Sequence, residues 1–96
     1  SNDPILVADP VGAILWRNGA GTKLFGAGDS LPAVFTPETA RRIRETTQVN
    51  TVEAEAKLPN GGGVHLTLFV TALGSGDPDG ERLLVIGKAV TSEAKT

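Results

Sequence analysis

His65 is the one side chain in this sequence that could readily serve as a catalytic base or a metal ligand. The chain has no cysteine and a single histidine, which removes thiolate nucleophiles, disulfides and cysteine-ligated metals together. A zinc site needs several ligands, and a catalytic histidine needs a neighbour that orients it. The residue alternation places His65 opposite Leu66 and Leu68, on the outward side of a strand. We therefore interpret His65 as an unspecialised surface residue and predict no metal site.

Two other patterns could bind a ligand, but each has a simpler explanation. Arg41, Arg42 and Arg44 could hold an anion, yet charges at this spacing usually form the solvated face of a helix. The glycines at 61–63 lack the Gly-Lys-Ser/Thr continuation of a phosphate loop and lie between two strands, so we interpret them as a hairpin loop. The sequence shows no nucleophile–base pair and no paired acids. We expect a domain without catalytic activity.

The composition is that of an ordinary globular domain. Apolar residues make up 40% of the 96 residues and charged residues 21%, with a net charge of -2. The nine Lys and Arg are spread along the chain, so no concentrated positive field is present to attract nucleic acid. No apolar run approaches the roughly 18 residues that a membrane span needs. We predict one domain that contacts neither nucleic acid nor the membrane.

The first part of the chain predicts two short strands and a helix. Ile5–Ala8 is an apolar run that leads through a Pro- and Gly-containing turn into a second strand, Ala13–Arg17. Asn18 can cap a helix that runs through Phe25, and Gly26 ends it. This order is typical of a hairpin that continues into a helix.

The next segment predicts a loop and then a longer helix. The residues between Gly26 and Thr36 are rich in Gly, Ser and Pro, so we predict a loop in which Leu31, Val34 and Phe35 point inward. Thr36, followed by a Pro and an acid, is a strong helix start. We expect this helix to run to about Thr47, with Ala40, Ile43 and Thr47 on its buried side.

The second half of the chain predicts three strands joined by Gly-rich loops. From Thr51 the period changes to two, with Val52, Ala54, Ala56 and Leu58 on one face. The longest predicted strand, Val64–Leu73, points Val64, Leu66, Leu68, Val70 and Ala72 inward, and Arg82–Val90 is the last strand. The order β-β-α-α-β-β-β excludes a regular βαβ parallel sheet. It predicts an α+β fold with one five-stranded antiparallel sheet and two or three helices on one face.

The predicted sheet carries more apolar surface than its helices can cover. Phe69 and Leu73 lie on the side opposite Leu66 and Leu68, and the last strand is apolar on both sides, including Leu84 and Ile86. A sheet covered on one face should alternate polar and apolar residues. We therefore predict that Phe69, Leu73, Leu84 and Ile86 contact either a second protomer or a flanking helix.

Several motifs, taken in order, resemble the PAS family over nearly the whole chain. The segment 3–12 is similar to the opening strand and turn of that family. The segment Ile14-Leu15-Trp16-Arg17-Asn18, followed by Leu24-Phe25-Gly26, is similar to its second strand and first helix, and Leu58-Pro59-Asn60-Gly61 stands where many members have a charged residue before Asp-Gly. The resemblance implies a single PAS domain over residues 1–96, with 1–3 as a tag remnant or linker and 91–96 as the start of a linker to an output domain.

The resemblance also implies a function. PAS domains are sensory and dimerisation modules of bacterial signalling proteins, many of them cytoplasmic sensor histidine kinases. We expect this domain to act by protein–protein contact and signal relay, as a homodimer or against flanking helices, with no enzymatic activity of its own. The relay would leave through Ala89-Val90-Thr91, where relatives commonly have Asp-Ile-Thr. Because the acid is absent here, we expect coupling to depend on the packing of Val90.

The same resemblance bears on cofactors. Relatives that form a flavin adduct or carry a coumaryl group use a cysteine, and haem-binding relatives use a histidine on the long helix; this chain has neither. It also passes through residues 27–30 almost directly to the long helix, so we expect a reduced cleft and no bound cofactor. The alternative is a small-molecule sensor, with a cleft between the inner sheet face and the helices. Its lining would come from five cleft candidates, Trp16, Phe35, Ile43, Leu66 and Leu68, although Trp16 more often packs in a core or an interface.

Overall fold

The computed structural model describes residues 3–26, 28–46, 49–57, 61–74 and 80–89. Their elements follow the order β1 (Ile5–Ala8), β2 (Ile14–Arg17), α1 (Gly19–Phe25), α2 (Leu31–Val34), α3 (Pro37–Arg44), β3 (Val49–Lys57), β4 (Gly63–Leu73) and β5 (Arg82–Ala89). The predicted α+β class and the number of strands are confirmed. None of the helices in these residues is long and apolar enough to cross a membrane.

The short helix α2 lies where the sequence predicts a loop. Leu31, Val34 and Phe35 are buried as predicted, but their spacing of three and four residues is that of a helical turn. Pro32 stands in the first turn, where its missing N–H leaves no hydrogen bond unmade. The polar loop residues before Leu31 conceal this turn in the sequence. The prediction of an uninterrupted loop is therefore wrong.

The five strands form one antiparallel sheet in the order β2-β1-β5-β4-β3. The strand β3 begins at Val49, two residues before the predicted start, because Val49 still pairs with Thr71. The helix α3 ends at Arg44 and not near Thr47. Thr47, Leu58 and Val90, the other predicted ends or inward residues, lie outside the described residues.

One hydrophobic core fills the space between the helices and the inner face of the sheet. Its largest fully buried side chains come from both layers: Phe35, Leu6, Leu31, Ile43, Leu66, Leu68, Val34, Val52, Val70 and Val85. Phe25 and Phe35 meet edge to face, with ring centroids 5.3 Å apart. The predicted placement of the helices on a single face is confirmed. The opposite side of the sheet, which we call the outer face, has no helix of the described residues on it.

Asn18 holds the hairpin, the first helix and the start of the chain together. Its Oδ1 accepts hydrogen bonds from the backbone N–H of Ile5 at 2.9 Å and of Gly21 at 2.7 Å, while its Nδ2 donates to the carbonyl of Asp3 at 2.9 Å. The predicted helix cap is confirmed. The extra bonds to Ile5 and Asp3 also fix where β1 begins.

Candidate functional site

The strand register assigns the side chains of the outer face to rows that run across the strands. Val7 pairs with Trp16 on one side and Leu84 on the other, Leu84 pairs with Thr71, and Thr71 pairs with Val49. This row therefore crosses all five strands. The next row consists of Ile5, Ile86, Phe69 and Thr51.

We call these two rows the apolar stripe. The exposed fraction is 54% for Trp16, 40% for Phe69 and 72% for Val49, which are large values for such side chains. Ile5, Val7, Leu84 and Ile86 lie between them and are half-buried. Leu73, which is 44% exposed, borders the stripe beside Arg82. The stripe is mostly apolar, with Thr71 and Thr51 as its polar members, and exposed apolar patches of this kind can mark interaction sites.

On the side of the stripe away from Leu73, the next two rows are polar, and we call them the polar end. In the first of them Lys88 pairs with Thr67, which pairs with Glu53, and Lys88 also forms an ion pair of 2.9 Å with Asp3. The next row holds His65 opposite Glu55. The outer face is therefore divided into an apolar and a charged half. The chain's described start and end, Asp3 and Ala89, both lie at the charged half, because Gly87 donates its N–H to the carbonyl of Pro4 at 2.9 Å.

His65 has a partner that the residue alternation alone does not predict. Its Nε2 lies 2.9 Å from Oε1 of Glu53, and the Thr67 hydroxyl donates to the other oxygen of that carboxylate at 3.0 Å. The β3–β4 register, with Glu53 opposite Thr67, could have indicated this contact. Both His65 and Glu53 are exposed, with 49% and 59% of their side-chain surfaces open to solvent. Among the described residues, no three His, Asp or Glu side chains lie close enough to hold a metal ion.

The five cleft candidates do not lie together. Phe35, Ile43, Leu66 and Leu68 are fully buried in the core, whereas Trp16 lies on the outer face. The placement of Trp16 in a cleft is therefore wrong. The cause is a register shift between Val7 and Ala8: Ala8 pairs with Ile14 and Val7 with Trp16, so Leu15 is an extra residue that interrupts the alternation.

Among the described residues, two of the pockets at the surface lie away from the four buried cleft candidates. One has a volume of about 280 Å³ and lies at the end of the sheet, where Arg44 and Thr46 approach Leu83 and Arg82. The other is an open groove of about 550 Å³ between Pro4 and helix α1. Neither is lined by Phe35, Ile43, Leu66 or Leu68.

Several charged side chains on helix α3 and at its C-terminal cap pair with one another. Arg41 contacts Glu38 at 2.6 Å and Glu45 at 3.3 Å, and Arg42 contacts Glu38 at 3.4 Å. The hydrogen bond and charge of Arg41 lower the pKa of Glu38, and Glu38 in turn raises the pKa of Arg41. These side chains are exposed and engaged within the helix, which agrees with a solvated helix face.

The predicted relay residues lie at the edge of the described chain. Ala89 is the last residue of β5 and pairs with Leu66. Val90 and Thr91 lie outside the described residues, so their role stays a prediction.

Comparison with known proteins identifies the fold. No family model and no curated protein matches the chain. Among solved structures, the PAS domain of an HTR-like protein from Haloarcula marismortui has a TM-score of 0.77 at 16% identity, covering 94% of this chain and 88% of its own. The LOV domain of a blue-light activated histidine kinase from Erythrobacter litoralis has a TM-score of 0.72 at 13% identity, covering 94% and 97%.

A third structure extends the comparison. The PAS domain of BvgS from Bordetella pertussis has a TM-score of 0.64 at 22% identity, covering 99% of this chain and 80% of its own. Identities this low compare the folds and not the binding sites. The superposed regions cover nearly the whole chain. This chain therefore has the PAS fold, as its sequence motifs predict.

Proposed function

We propose that this chain is a sensory and dimerisation module of a cytoplasmic signalling protein, acting by protein–protein contact through the outer face of its sheet. The observation that carries the proposal is the apolar stripe. Trp16, Phe69 and Val49 expose large apolar surfaces on strands that pack their other side chains into the core. Exposing such a surface to water is unfavourable, so contact with another protein element stabilises it.

The proposed parent is a bacterial sensor histidine kinase. The similarity to a domain of a blue-light activated histidine kinase supports this choice. The described residues hold no set of side chains arranged for catalysis, which fits a module that passes a signal to a separate output domain.

We further propose that the module works without a bound cofactor. Phe35, Ile43, Leu66 and Leu68 are fully buried in the core, and none of them lines either of the two surface pockets described above. A ligand in the core would have to displace packed side chains such as the Phe25–Phe35 pair. An absorbance spectrum of the purified protein with a stoichiometric flavin or haem band would contradict this part of the proposal.

The signal route proposed here leaves through the end of β5. Ala89 follows Lys88, whose ion pair with Asp3 joins the end of β5 to the start of β1. In the parent protein, Val90→Ala should change output activity while leaving the domain folded, because the packing of Val90 would replace the missing acid. Unchanged output over a range of stimulus conditions would contradict the relay and leave only the contact role.

The interaction role can be tested on the chain itself. Sedimentation velocity at up to about 1 mM, which suits an association of about -4 kcal/mol, should detect weak self-association. Phe69→Glu should abolish it, since a buried carboxylate without a partner is costly. The matched control is Val11→Glu, because Val11 is 77% exposed but lies on the β1–β2 turn, away from the stripe. Equal effects of the two variants would contradict the assignment of the outer face.

A further inference from the structure

The pocket of about 280 Å³ at the end of the sheet combines two arginines with an apolar wall, and we call it the arginine pocket. It lies where the C-terminal end of α3 approaches the end of β4 and the start of β5. Arg44 and Arg82 are basic residues of its lining, and Glu81 is acidic. The apolar part of the lining consists of Pro10, Ala72, Leu73 and Leu83. The pocket can therefore contact a charged group and an apolar group of one molecule.

Arg44 reaches this pocket over the turn that joins β1 and β2. Its aliphatic stem passes close to Gly12, where a Cβ would lie 3.5 Å from Cδ of Arg44. Gly12 has a φ of 101°, which favours glycine, so the turn presents bare backbone to the stem. Within the described ranges no carboxylate forms an ion pair with Arg44, whereas Arg41 and Arg42 both contact Glu38. The guanidinium of Arg44 is therefore available to an anion from solution.

The charges of the lining indicate which anion fits. Arg82 comes from β5, and its Nη1 donates to the carbonyl of Glu81 at 2.7 Å, which ties the guanidinium to the backbone beside the pocket. Two arginines and one glutamate leave a net charge of one positive unit in the lining. A monoanion neutralises this charge, whereas a dianion would leave excess negative charge beside Glu81.

We infer that the arginine pocket binds a small monocarboxylate with a short apolar body, with the carboxylate on Arg44 and the body against Pro10 and Leu83. A guanidinium donates two parallel N–H groups to a carboxylate, which gives this pair both strength and orientation. The pocket is slightly smaller than the roughly 300 to 1,000 Å³ of sites for drug-sized ligands, so the ligand is small. The pocket lies at the end of the sheet, and the inference goes beyond the proposed contact through the outer face.

A bound carboxylate would join parts of the fold that are distant in sequence. Pro10 belongs to the β1–β2 turn, Arg44 to α3, Ala72 to β4 and Leu83 to β5. Because unfolding separates these residues, the ligand binds only the folded chain and raises its thermal stability.

Pentanoate is the probe, and pentanamide is the matched probe of the same size without a charge. We expect pentanoate to bind with a dissociation constant of about 1 mM. At about 10 mM it should raise the unfolding temperature by about 5 to 10 °C over the same concentration of sodium chloride. Pentanamide should raise it by less than about 2 °C. Saturable NMR shifts of the Arg82 and Leu83 amides should give the location.

Two pairs of variants make the test specific. Arg44→Gln should weaken pentanoate binding about five- to tenfold, whereas Arg42→Gln removes the same charge from the same helix outside the pocket and should leave it unchanged. Glu81→Gln should strengthen binding about two- to fivefold, and its control Glu55→Gln, on β3, should have no effect. Circular dichroism of each variant checks that it is folded.

Three results would overturn the inference. The first is the absence of a saturable shift at about 10 mM pentanoate. The second is equal binding by Arg44→Gln and Arg42→Gln, since overall charge and not the pocket would then attract the anion. The third is inorganic phosphate binding as tightly as pentanoate with the same dependence on Arg44, which would exclude the apolar contact. None of these results affects the proposed contact role, which the self-association of wild type and of Phe69→Glu tests separately.

Discussion

The two faces of strand β4 show how differently one strand can be used. On the inner face, Leu66, Leu68 and Val70 are fully buried between neighbouring strands and helices. On the outer face, Phe69 lies between Ile86 and Thr51 and keeps 40% of its surface exposed. Both faces carry apolar side chains, but only the inner one is covered by described residues. The difference separates the part of the sequence that stabilises the domain from the part available to a partner.

The solvated side of helix α3 offers a second contrast. Its side chains are charged, and Arg41 is paired with Glu38 and Glu45. Charged side chains that pair with one another are stable in water without contact to another protein element. The apolar stripe consists mainly of residue types that are typical of a protein core, but it lies on the surface. This distinguishes it from the ordinary surface of the same molecule.

The largest predicted difference is in the free energy of unfolding, between truncations of two neighbouring residues on opposite faces of β4. Leu68→Ala leaves a cavity in the core and should lower the free energy of unfolding by about 2 to 5 kcal/mol. Phe69→Ala removes only outer cross-strand contacts and should cost about 1 kcal/mol or less. Urea denaturation at low protein concentration measures both. Equal costs would mean that the outer face is covered in the isolated chain.

Loss of the hydrogen bonds of Asn18 should have the next largest effect on the free energy of unfolding. Asn18→Ala removes three hydrogen bonds, to Ile5, Gly21 and Asp3, and leaves part-buried backbone groups without partners. We expect a loss of about 1 to 3 kcal/mol in the same urea assay. Thr22→Ala is the control, since its hydroxyl only donates to the carbonyl of Asn18 at the exposed helix surface. A similar loss in the control would mean that losing any one side-chain hydrogen bond at the start of α1, and not the Asn18 network, accounts for the effect.

Much of this arrangement could be predicted from local sequence signals. The caps at Asn18 and Thr36 and the two-residue period of β3 depend on neighbouring residues alone, and the structure confirms them. The sequence pattern does not reveal helix α2, because the helix has only four residues and directly follows residues that are typical of a loop. The face of Trp16 depends on a register shift, which arises from pairing between strands and leaves no local signal.

The candidate surface was predictable in part, because one of its strands shows a regular alternation in the sequence. Phe69 and Leu73 follow a regular alternation on β4, so the prediction that they face outward holds. The division of that face into a stripe and a polar end requires the register of all five strands. The contact between His65 and Glu53 likewise needs the β3–β4 pairing. Sequence periodicity gives the face of a residue, whereas only the register gives its neighbours.

Two glycines of helix α1 should respond in opposite directions to alanine. A Cβ at Gly21 would lie 3.0 Å from the carbonyl oxygen of Ile5 and 3.1 Å from Oδ1 of Asn18, whereas a Cβ at Gly19 would meet nothing within 4 Å. Gly21→Ala should therefore lower stability by about 1 kcal/mol through strain in the Asn18 network. Gly19→Ala should raise stability by up to about 1 kcal/mol through helix propensity. Thermal unfolding of both variants measures this, and stabilisation by Gly21→Ala would show that the junction can relax.

The smallest effect should come from the solvated face of α3. Its pairing with Arg41 gives Glu38 a pKa below the ordinary value of 4.5. A carboxyl whose pKa is lower in the folded state stabilises the fold above its unfolded pKa, and the contribution disappears as the pH falls through the folded pKa. Because the pair is exposed, salt at about 1 M should screen most of the difference.

Carboxyl NMR titration of Glu38 measures this contribution directly. In Arg41→Gln the midpoint should rise toward 4.5, since the main cause of the lowered pKa is removed. Arg44→Gln removes the same charge from the same helix without removing a contact of Glu38, and it should leave the midpoint lowered. If the two variants give equal midpoints, the lowered pKa of Glu38 comes from the overall positive charge of the helix and not from its contact with Arg41. A small, salt-sensitive effect that depends on Arg41 would instead identify α3 as an ordinary solvated surface, in contrast to the apolar stripe, for which we propose a protein contact.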